Sequence, residues 1–589
     1  MNINRYCLWL GLFVLSPVLV NVLTNESLRA QTPPSLPATD ILRKPESVIP
    51  VTPTPELLPS PEKLLPSTIP TTPQQTTEEF LNQIPQKITV ERFEVVGSTI
   101  FSKEKLAEAT AGFTNKAITF PELLKASEAI TKLYVDAGYI NTGAFIPATN
   151  KTFPKEGAVI QIQVIEGGLE DIEIRGLKRL NPEYVRSRLA LATGKPLSLN
   201  KLLEGLQLLQ LDPLIQNISA ELATGSRPGT SILQVKVTEA KTRTAQFSLD
   251  NNRTSSIGSF QRQIKLQEDN LFGLGDGLKV GYANTDGSNS FDINYSLPVN
   301  ARNGKVQLSY SNASSRVIQE PFDVLDIEGK SQEYAITYRQ PIIQTPTQEL
   351  TLGITATRRE SDIGFLEGLL GERFPFPSAG AIDGKINLSV LRFFQEWTQR
   401  DTQQVLAARS QFNLGIGAFD ATINESGPDS RFFSWRGQAQ WVRLLAPDTL
   451  FLLRGDAQLT NKPLVTSEQI GLGGQATVRG YSQDRILADN GFLASAELRY
   501  PILRIPEIKG LLQITPFLEF GTVWNAADAS GSPLEKNTLT STGIGLLWQQ
   551  SDRLSARLDW GIPLTSVDSS KKSWQDNGLY FSIIYTQPF

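Results

Sequence analysis

The sequence predicts an all-β transmembrane barrel of sixteen antiparallel strands, preceded by two small α+β domains. Three observations carry this. After about Thr242, helical periodicity nearly vanishes and a train of short segments alternates apolar and polar residues. The connections between those segments alternate between short turns and long loops. Ahead of them, one mixed pattern of strands and helices occurs twice in succession.

Bulk properties narrow the function classes. At 589 residues the chain exceeds a single core. Its 56 Lys+Arg against 60 Asp+Glu give no basic excess, which argues against a nucleic-acid partner. Beyond the N-terminus no run approaches the roughly 20 apolar residues of a spanning helix, so a helical membrane protein is excluded and a barrel is not. The chain has no histidine, and its single cysteine, Cys7, lies in the N-terminal apolar run. With that run removed, neither histidine-based nor thiol catalysis is available. No pair of acids converges for acid/base work. The sequence therefore assigns no enzyme activity, catalytic residue, metal site or cofactor.

Taken in order, residues 1–30 read as a cleavable secretory signal: Arg5, the apolar run "CLWLGLFVLSPVLVNVL", then Ala30 as a small residue before cleavage. Pro17 and the run's modest length argue against an uncleaved anchor. Residues 31–85 are rich in Pro, Thr and Ser ("VTPTPELLPSPEKLLPSTIP") and read as an extended, solvated linker. Residues 86–167 and 168–241 are the two copies. Each reads strand, helix, helix, strand, strand, with Gly97 and Gly176 closing the first strand at matching places. The final strands correspond in residue type: Val159, Ile160, Ile162 and Val164 against Ile232, Leu233, Val235 and Val237.

Residues 242–589 hold sixteen strand candidates. They begin near Thr244, Phe260, Gly277, Ser290, Lys305, Ser331, Glu349, Gly384, Gln404, Arg431, Thr449, Gly491, Leu512, Leu539, Arg553 and Leu579. "KINLSVLRFFQEW" alternates less cleanly than the rest. Connections after even-numbered strands are mostly short ("LLAPDT", "QQSD"), and those after odd-numbered strands are often long. An even count puts both barrel ends on the short-turn, periplasmic side, below an outer-membrane barrel. A soluble sandwich or propeller would explain neither the signal nor the loop asymmetry. The last strand, "LYFSIIYTQPF", puts Phe581, Ile583, Tyr585 and Phe589 on one face, toward lipid. An aromatic final strand ending in Phe is what barrel-assembly machinery recognises. Pro588 removes one ladder donor, at little cost so near the end.

Two motifs stand out. "GLGGQATVRGY" (residues 471–481) lies in the long connection between the eleventh and twelfth strands and contains Val478, Arg479, Gly480 and Tyr481. "FLEFG" (residues 517–521) lies on the thirteenth strand, with Phe517, Glu519 and Gly521. "GLGGQA" also fits a loose dinucleotide-binding pattern, but it has no βαβ unit around it. A third segment, "NLFGLGDGL" (residues 270–278), reads as a glycine-rich, solvated periplasmic turn. Its Asp276 and the preceding Glu268 and Asp269 receive no transport role.

With these residues in view, the chain resembles the TpsB transporters of two-partner secretion (the ShlB/FhaC/HecB family, in the BamA-like superfamily of POTRA-barrel proteins). The resemblance covers essentially everything after residue 85. "VRGY" is similar to the superfamily's signature tetrapeptide, and "FLEFG" to its F-x-D-x-G, with Glu519 where Asp is usual. It implies that the two repeats are POTRA domains in the periplasm that bind an unfolded, exported partner of the TpsA type. It also implies that the 471–481 loop folds into the pore, where Arg479 meets the acidic residue on the wall. Glutamate is one methylene longer than aspartate, so the pair would need a different reach. A BamA-like insertase shares the loop motif and is the alternative; two repeats rather than a longer array favour secretion. A diffusion porin would need neither the tandem domains nor the inward loop. Family transporters often carry an N-terminal plug helix, and no convincing amphipathic helix appears between residues 31 and 75.

Overall fold

The computed structural model describes residues 61–65, 87–147, 157–527, 537–567 and 573–589. The signal segment lies outside the described residues, as does the linker except for residues 61–65. That piece departs from the expected solvated chain. Pro61–Leu64 form a helical turn (α1), and Leu64 is buried in the core of the second small domain, with Leu65 packed beside it. Two adjacent leucines in an otherwise polar, Pro-rich stretch have a strong drive to leave water.

The first small domain holds a four-stranded sheet ordered β2-β1-β4-β3, with β1 (Ile88–Val96), β2 (Ala117–Ile118), β3 (Gly143–Phe145) and β4 (Ala158–Ile165). Its main helix, Phe120–Asp136, starts at a capping box: the Thr119 backbone N–H donates to Glu122 at 2.7 Å, and Pro121 fits the first turn. Leu123, Ala126, Ile130 and Tyr134 form its buried stripe at helical spacing. Beneath it, the Glu166 carboxylate accepts from the Thr99 N–H (2.7 Å), the Thr99 hydroxyl (2.6 Å) and the Tyr134 hydroxyl (2.8 Å).

The second domain repeats the plan with β5 (Gly168–Arg175), β6 (Ile215–Thr224) and β7 (Thr230–Glu239) in the order β5-β7-β6, and helices Pro182–Ala192 and Leu199–Gln210. In both copies the first strand runs parallel to the last. Gly97 (φ +88°) and Gly176 (φ +94°) occupy equivalent corners; a Cβ there would sit 2.5 Å from the Val164 carbonyl oxygen and 2.3 Å from that of Val237. That shared clash explains why both copies carry glycine.

Barrel strands 1–12 are Arg243–Asp250, Gln261–Glu268, Gly277–Asn284, Ser288–Pro298, Lys305–Arg316, Glu328–Gln344, Gln348–Phe365, Lys385–Arg400, Gln404–Ile416, Phe433–Ala446, Thr449–Thr460 and Asn490–Ile505. Strand 13 is broken into Gly510–Ile514 and Phe517–Trp524, both pairing with strands 12 and 14. Pro516 lies in the gap and cannot donate to the ladder. Strands 14–16 are Thr538–Gln550, Leu554–Pro563 and Leu579–Pro588. Strand 16 pairs antiparallel with strand 1, from Ser582↔Asp250 to Pro588↔Thr244, and closes the barrel. Strand 8 alternates poorly because aromatics occupy both faces: Phe393 is exposed on the outside, while Phe394 fills the lumen against Gly353.

Around the outside, Phe247, Leu266, Ile336, Leu453, Leu518 and Trp560 stay exposed. Apolar exposure spread over so many strands fits lipid, not water. No helix among the described residues is long and apolar enough to cross a membrane. One expectation is corrected: the turn at residues 269–276 is only partly solvated, with Phe272 and Leu274 exposed but its polar anchors covered. Asn270 and Asp276 are buried, and the second small domain sits on them.

Candidate functional site in the barrel lumen

The connection between strands 11 and 12, residues 461–489, turns into the barrel. A short hairpin, Ile470–Leu472 with Ile486–Ala488, forms its stem. Gly471 is extended within that stem and makes no turn; Gly473 (φ +107°) and Gly474 (φ +98°) supply the bend. Ile470, Leu472, Val478, Tyr481, Leu493, Val523 and Leu539 form a shared apolar cluster between the loop and the wall. Gly521 is required there, because a Cβ would lie 2.7 Å from Leu472 and 3.2 Å from Val478.

The loop delivers Arg479 to the inner wall. Its backbone N–H donates to Glu519 Oε2 at 2.6 Å, and its Nε and Nη2 donate to Glu519 Oε1 at 2.8 and 2.5 Å. The guanidinium carbon stacks 3.4 Å from the centroid of the Phe517 ring. Nη1 donates to Glu497 Oε2 at 3.1 Å and lies 3.3 Å from Asp559 Oδ1. Arg557 bridges the same acids, with Nη2 2.5 Å from Glu497 and Nε 2.7 Å from Asp559. Arg499 completes the group at 3.0 Å from Glu497. Three guanidinium groups thus make direct ion pairs with three carboxylates, all six buried or nearly so, and Arg454 lies close enough to interact with Glu497 as well. Burial of so many charges is tolerable only because each is paired.

The rest of the motif is held by backbone. Gly480 (φ +100°) donates its N–H to the Tyr580 hydroxyl at 2.9 Å, and that hydroxyl donates to the Tyr481 carbonyl at 2.5 Å. A Cβ on Gly561 would lie 2.4 Å from the Gly480 nitrogen, so loop and wall touch backbone to backbone. The Tyr481 hydroxyl accepts from the Thr565 N–H at 3.0 Å and lies 2.8 Å from the Thr540 carbonyl. Gln475 donates to Asp559 at 3.0 Å.

The structure therefore brings Val478, Arg479, Gly480 and Tyr481 together with Phe517, Glu519 and Gly521. The longer glutamate does not break the pair; it serves the Arg479 backbone and side chain at once. Phe581, Ile583, Tyr585 and Phe589 lie elsewhere, on the outer surface of the closing strand. The last three are exposed, and Phe581 nests between Phe260 and Trp574 at 5.9 and 5.7 Å. Sequence reasoning missed Glu497, Arg499, Arg557, Asp559, Gly561 and Tyr580. The available signal was charge at i and i+2 on one face of a strand, in "AELRY" and "RLDWG".

The chain matches the haemolysin secretion/activation protein family ShlB/FhaC/HecB over residues 229–547, more than half its length. It belongs to that family. Residues 88–167 match the ShlB-type POTRA domain. Among curated relatives, the chain is 23% identical to the outer membrane transporter CdiB of Dickeya dadantii over 73% of this chain and 75% of that protein. It is 24% identical to the hemolysin transporter protein ShlB of Serratia marcescens over 77% and 79% of the two chains. Among solved structures, CdiB from Escherichia coli superposes with a TM-score of 0.65 at 21% identity, covering 88% of this chain and 94% of that one. BamA from Haemophilus ducreyi without its first three POTRA domains reaches 0.50 at 15% identity, covering 85% of this chain and all of that one, a likeness of fold alone. As a ShlB/FhaC/HecB member the chain is an outer-membrane transporter of the two-partner secretion type, with its POTRA region in the periplasm.

Proposed function

We propose that this transporter captures one exported partner protein, unfolded in transit, on its POTRA domains and passes it outward through the barrel, with the 461–489 loop as an anchored element of the pore. The observation that carries this reading is the buried junction of Arg479 with Glu519, Glu497 and Asp559. A loop tied into the wall by charge, backbone contacts and a small apolar cluster occupies the lumen as a fixed element. The aromatic final strand suits recognition by barrel-assembly machinery and contact with outer-membrane lipid. The chain carries no group we would assign to catalysis, and folding of the cargo outside the cell supplies the drive.

Capture fits strand addition, in which an extended peptide pairs with a free sheet edge. In the first domain both edges are short, Ala117–Ile118 and Gly143–Phe145. In the second, β6 is a ten-residue edge. The Gln210 amide already serves the Ile218 N–H and the Gln216 carbonyl, each at 3.0 Å. Those bonds show that even-numbered backbone groups of β6 point outward, so cargo would pair with residues 220–224. An Arg479→Ala variant tests the loop's role. We expect secretion to fall and channel conductance to rise and fluctuate; unchanged secretion with unchanged conductance would overturn it.

A further inference from the structure

The "NLFGLGDGL" segment has no part in the luminal junction, yet it is built as a rigid seat. Within the turn, Asp276 Oδ1 accepts the N–H groups of Phe272 and Leu274 at 3.0 and 3.3 Å, and Oδ2 accepts from the Tyr295 hydroxyl at 3.1 Å. Asn270 Oδ1 takes the Gly275 N–H at 3.0 Å. Both Asp276 and Asn270 are buried. A turn whose polar groups are satisfied internally presents a fixed surface.

The second POTRA domain meets that surface at close range. The Asn181 N–H donates to the Gly273 carbonyl at 2.8 Å. Arg179 donates to the Asn270 carbonyl at 2.7 Å, to Glu268 at 3.2 and 3.4 Å and to the Thr242 hydroxyl at 3.0 Å. The 178–180 segment that carries Arg179 is itself pinned, with its three backbone N–H groups on Glu239 at 2.7, 2.9 and 2.9 Å. Gly273 (φ +85°) and Gly275 (φ +74°) leave no room for a side chain: a Cβ would lie 2.6 Å from the Arg179 carbonyl oxygen and 2.3 Å from the Tyr184 ring. A second turn adds a brace. Arg188 stacks 3.5 Å from the Tyr184 ring centroid and donates to Asn303 at 2.8 Å.

We propose that the 269–276 turn is a docking seat that fixes the angle of the second POTRA domain to the barrel mouth, with Arg179, Tyr184, Gly273 and Gly275 as positioning residues for cargo delivery. The connection is no hinge. Only residues 240–242 separate β7 from strand 1, and two further turns hold the domain. A cleft of about 410 Å³ lies between the Leu199–Gln210 helix and the turn at Thr345, Pro346 and Thr347, so the domain and the barrel mouth also face each other there. An edge strand of the fixed domain is thereby kept at a constant position relative to the pore. The delivery role rests on the transporter reading; the fixed angle does not.

Spin labels at Lys201→Cys and Thr347→Cys, in the full chain reconstituted in liposomes, read this angle. Cys7 is the sole cysteine and lies in the signal segment, so labelling is clean. We expect one narrow distance distribution, broadened by Gly275→Val and by Arg179→Ala, with loss of most secretion and unchanged heat-resistant barrel mobility. Arg179→Lys should restore part of both. A broad distribution in the unaltered chain, or a narrow one in both variants, overturns the seat. Broadening with secretion intact overturns its role in delivery. Gly275→Val is judged only if its barrel folds; Arg179→Ala, at an edge, covers the case where it does not.

Discussion

At the scale of single residues, the luminal junction behaves as one charge unit. Arg479→Ala leaves the buried Glu519 carboxylate with no ion-pair partner among the described residues, a loss of about 3–5 kcal/mol by analogy with broken buried pairs. Urea melts of the barrel followed by tryptophan fluorescence should show it. Glu519→Asp tests the departure from the family motif. The shortened side chain cannot serve both the Arg479 N–H and its guanidinium, and loss of one such charged hydrogen bond costs about 1.5–3 kcal/mol. We expect protease access at residues 473–483 to increase, though less than in Arg479→Ala; equal protection in Glu519→Asp and the unaltered chain would show that the extra methylene is idle. Arg479 and Glu519 were legible in the sequence because each lies in a motif. Glu497 and Asp559 were not, because a luminal charge alternates with lipid-facing apolar residues as any polar strand residue does. Only the register of strands 12, 13 and 15 puts them around one guanidinium. The turn at 270–278 was misjudged for a related reason: glycine and aspartate are typical of solvated turns, and nothing local reveals that Tyr184 arrives from a different domain.

At the scale of elements, the strands were nearly all visible. Starts predicted near Lys305, Gln404 and Thr449 coincide with the observed ones, because period-two alternation and turn residues both mark them. The break in strand 13 was not, since Pro516 falls inside an alternating run. Within the first POTRA domain, Glu166 ties the β1 end to the main helix. Burial pushes its carboxyl up, but the Thr99 hydroxyl and N–H and the Tyr134 hydroxyl outweigh this and hold it below the usual carboxylate range. A depressed folded pKa means its stabilisation is full above the unfolded carboxylate value and is lost as pH falls through the folded one. Amide exchange in full-length protein should therefore show protection near Thr99 and Ile100 falling as the pH drops below about 4. In Glu166→Gln that protection should be weaker at neutral pH and flatter with pH; a steep acid loss in the variant would assign it to another group.

At the scale of the whole molecule, the question is whether cargo travels inside a closed barrel or through an opened seam. Ser248 and Ile584 face each other across strands 1 and 16. The outer end of this seam is clasped by Asn251, which donates to the Leu579 carbonyl at 2.9 Å and accepts from the Phe581 N–H at 2.8 Å. A disulfide between Ser248→Cys and Ile584→Cys would lock it. Because the proposed path is luminal, we expect the oxidised double variant to secrete as well as the reduced one. Secretion recovered only on reduction would place the path through the seam.

The seat of the inward loop also constrains the order in which the protein is built. Gly480 rests on Gly561 and Tyr580, and Tyr481 on Thr540 and Thr565, all from the last three strands and their connections. Contacts separated by 100 residues cannot form until the C-terminal hairpin is in place, and long closures form late. Loop docking is thus a terminal folding event that registers a finished barrel. A chain lacking strand 16 should keep residues 473–483 open to protease even where the earlier strands have paired.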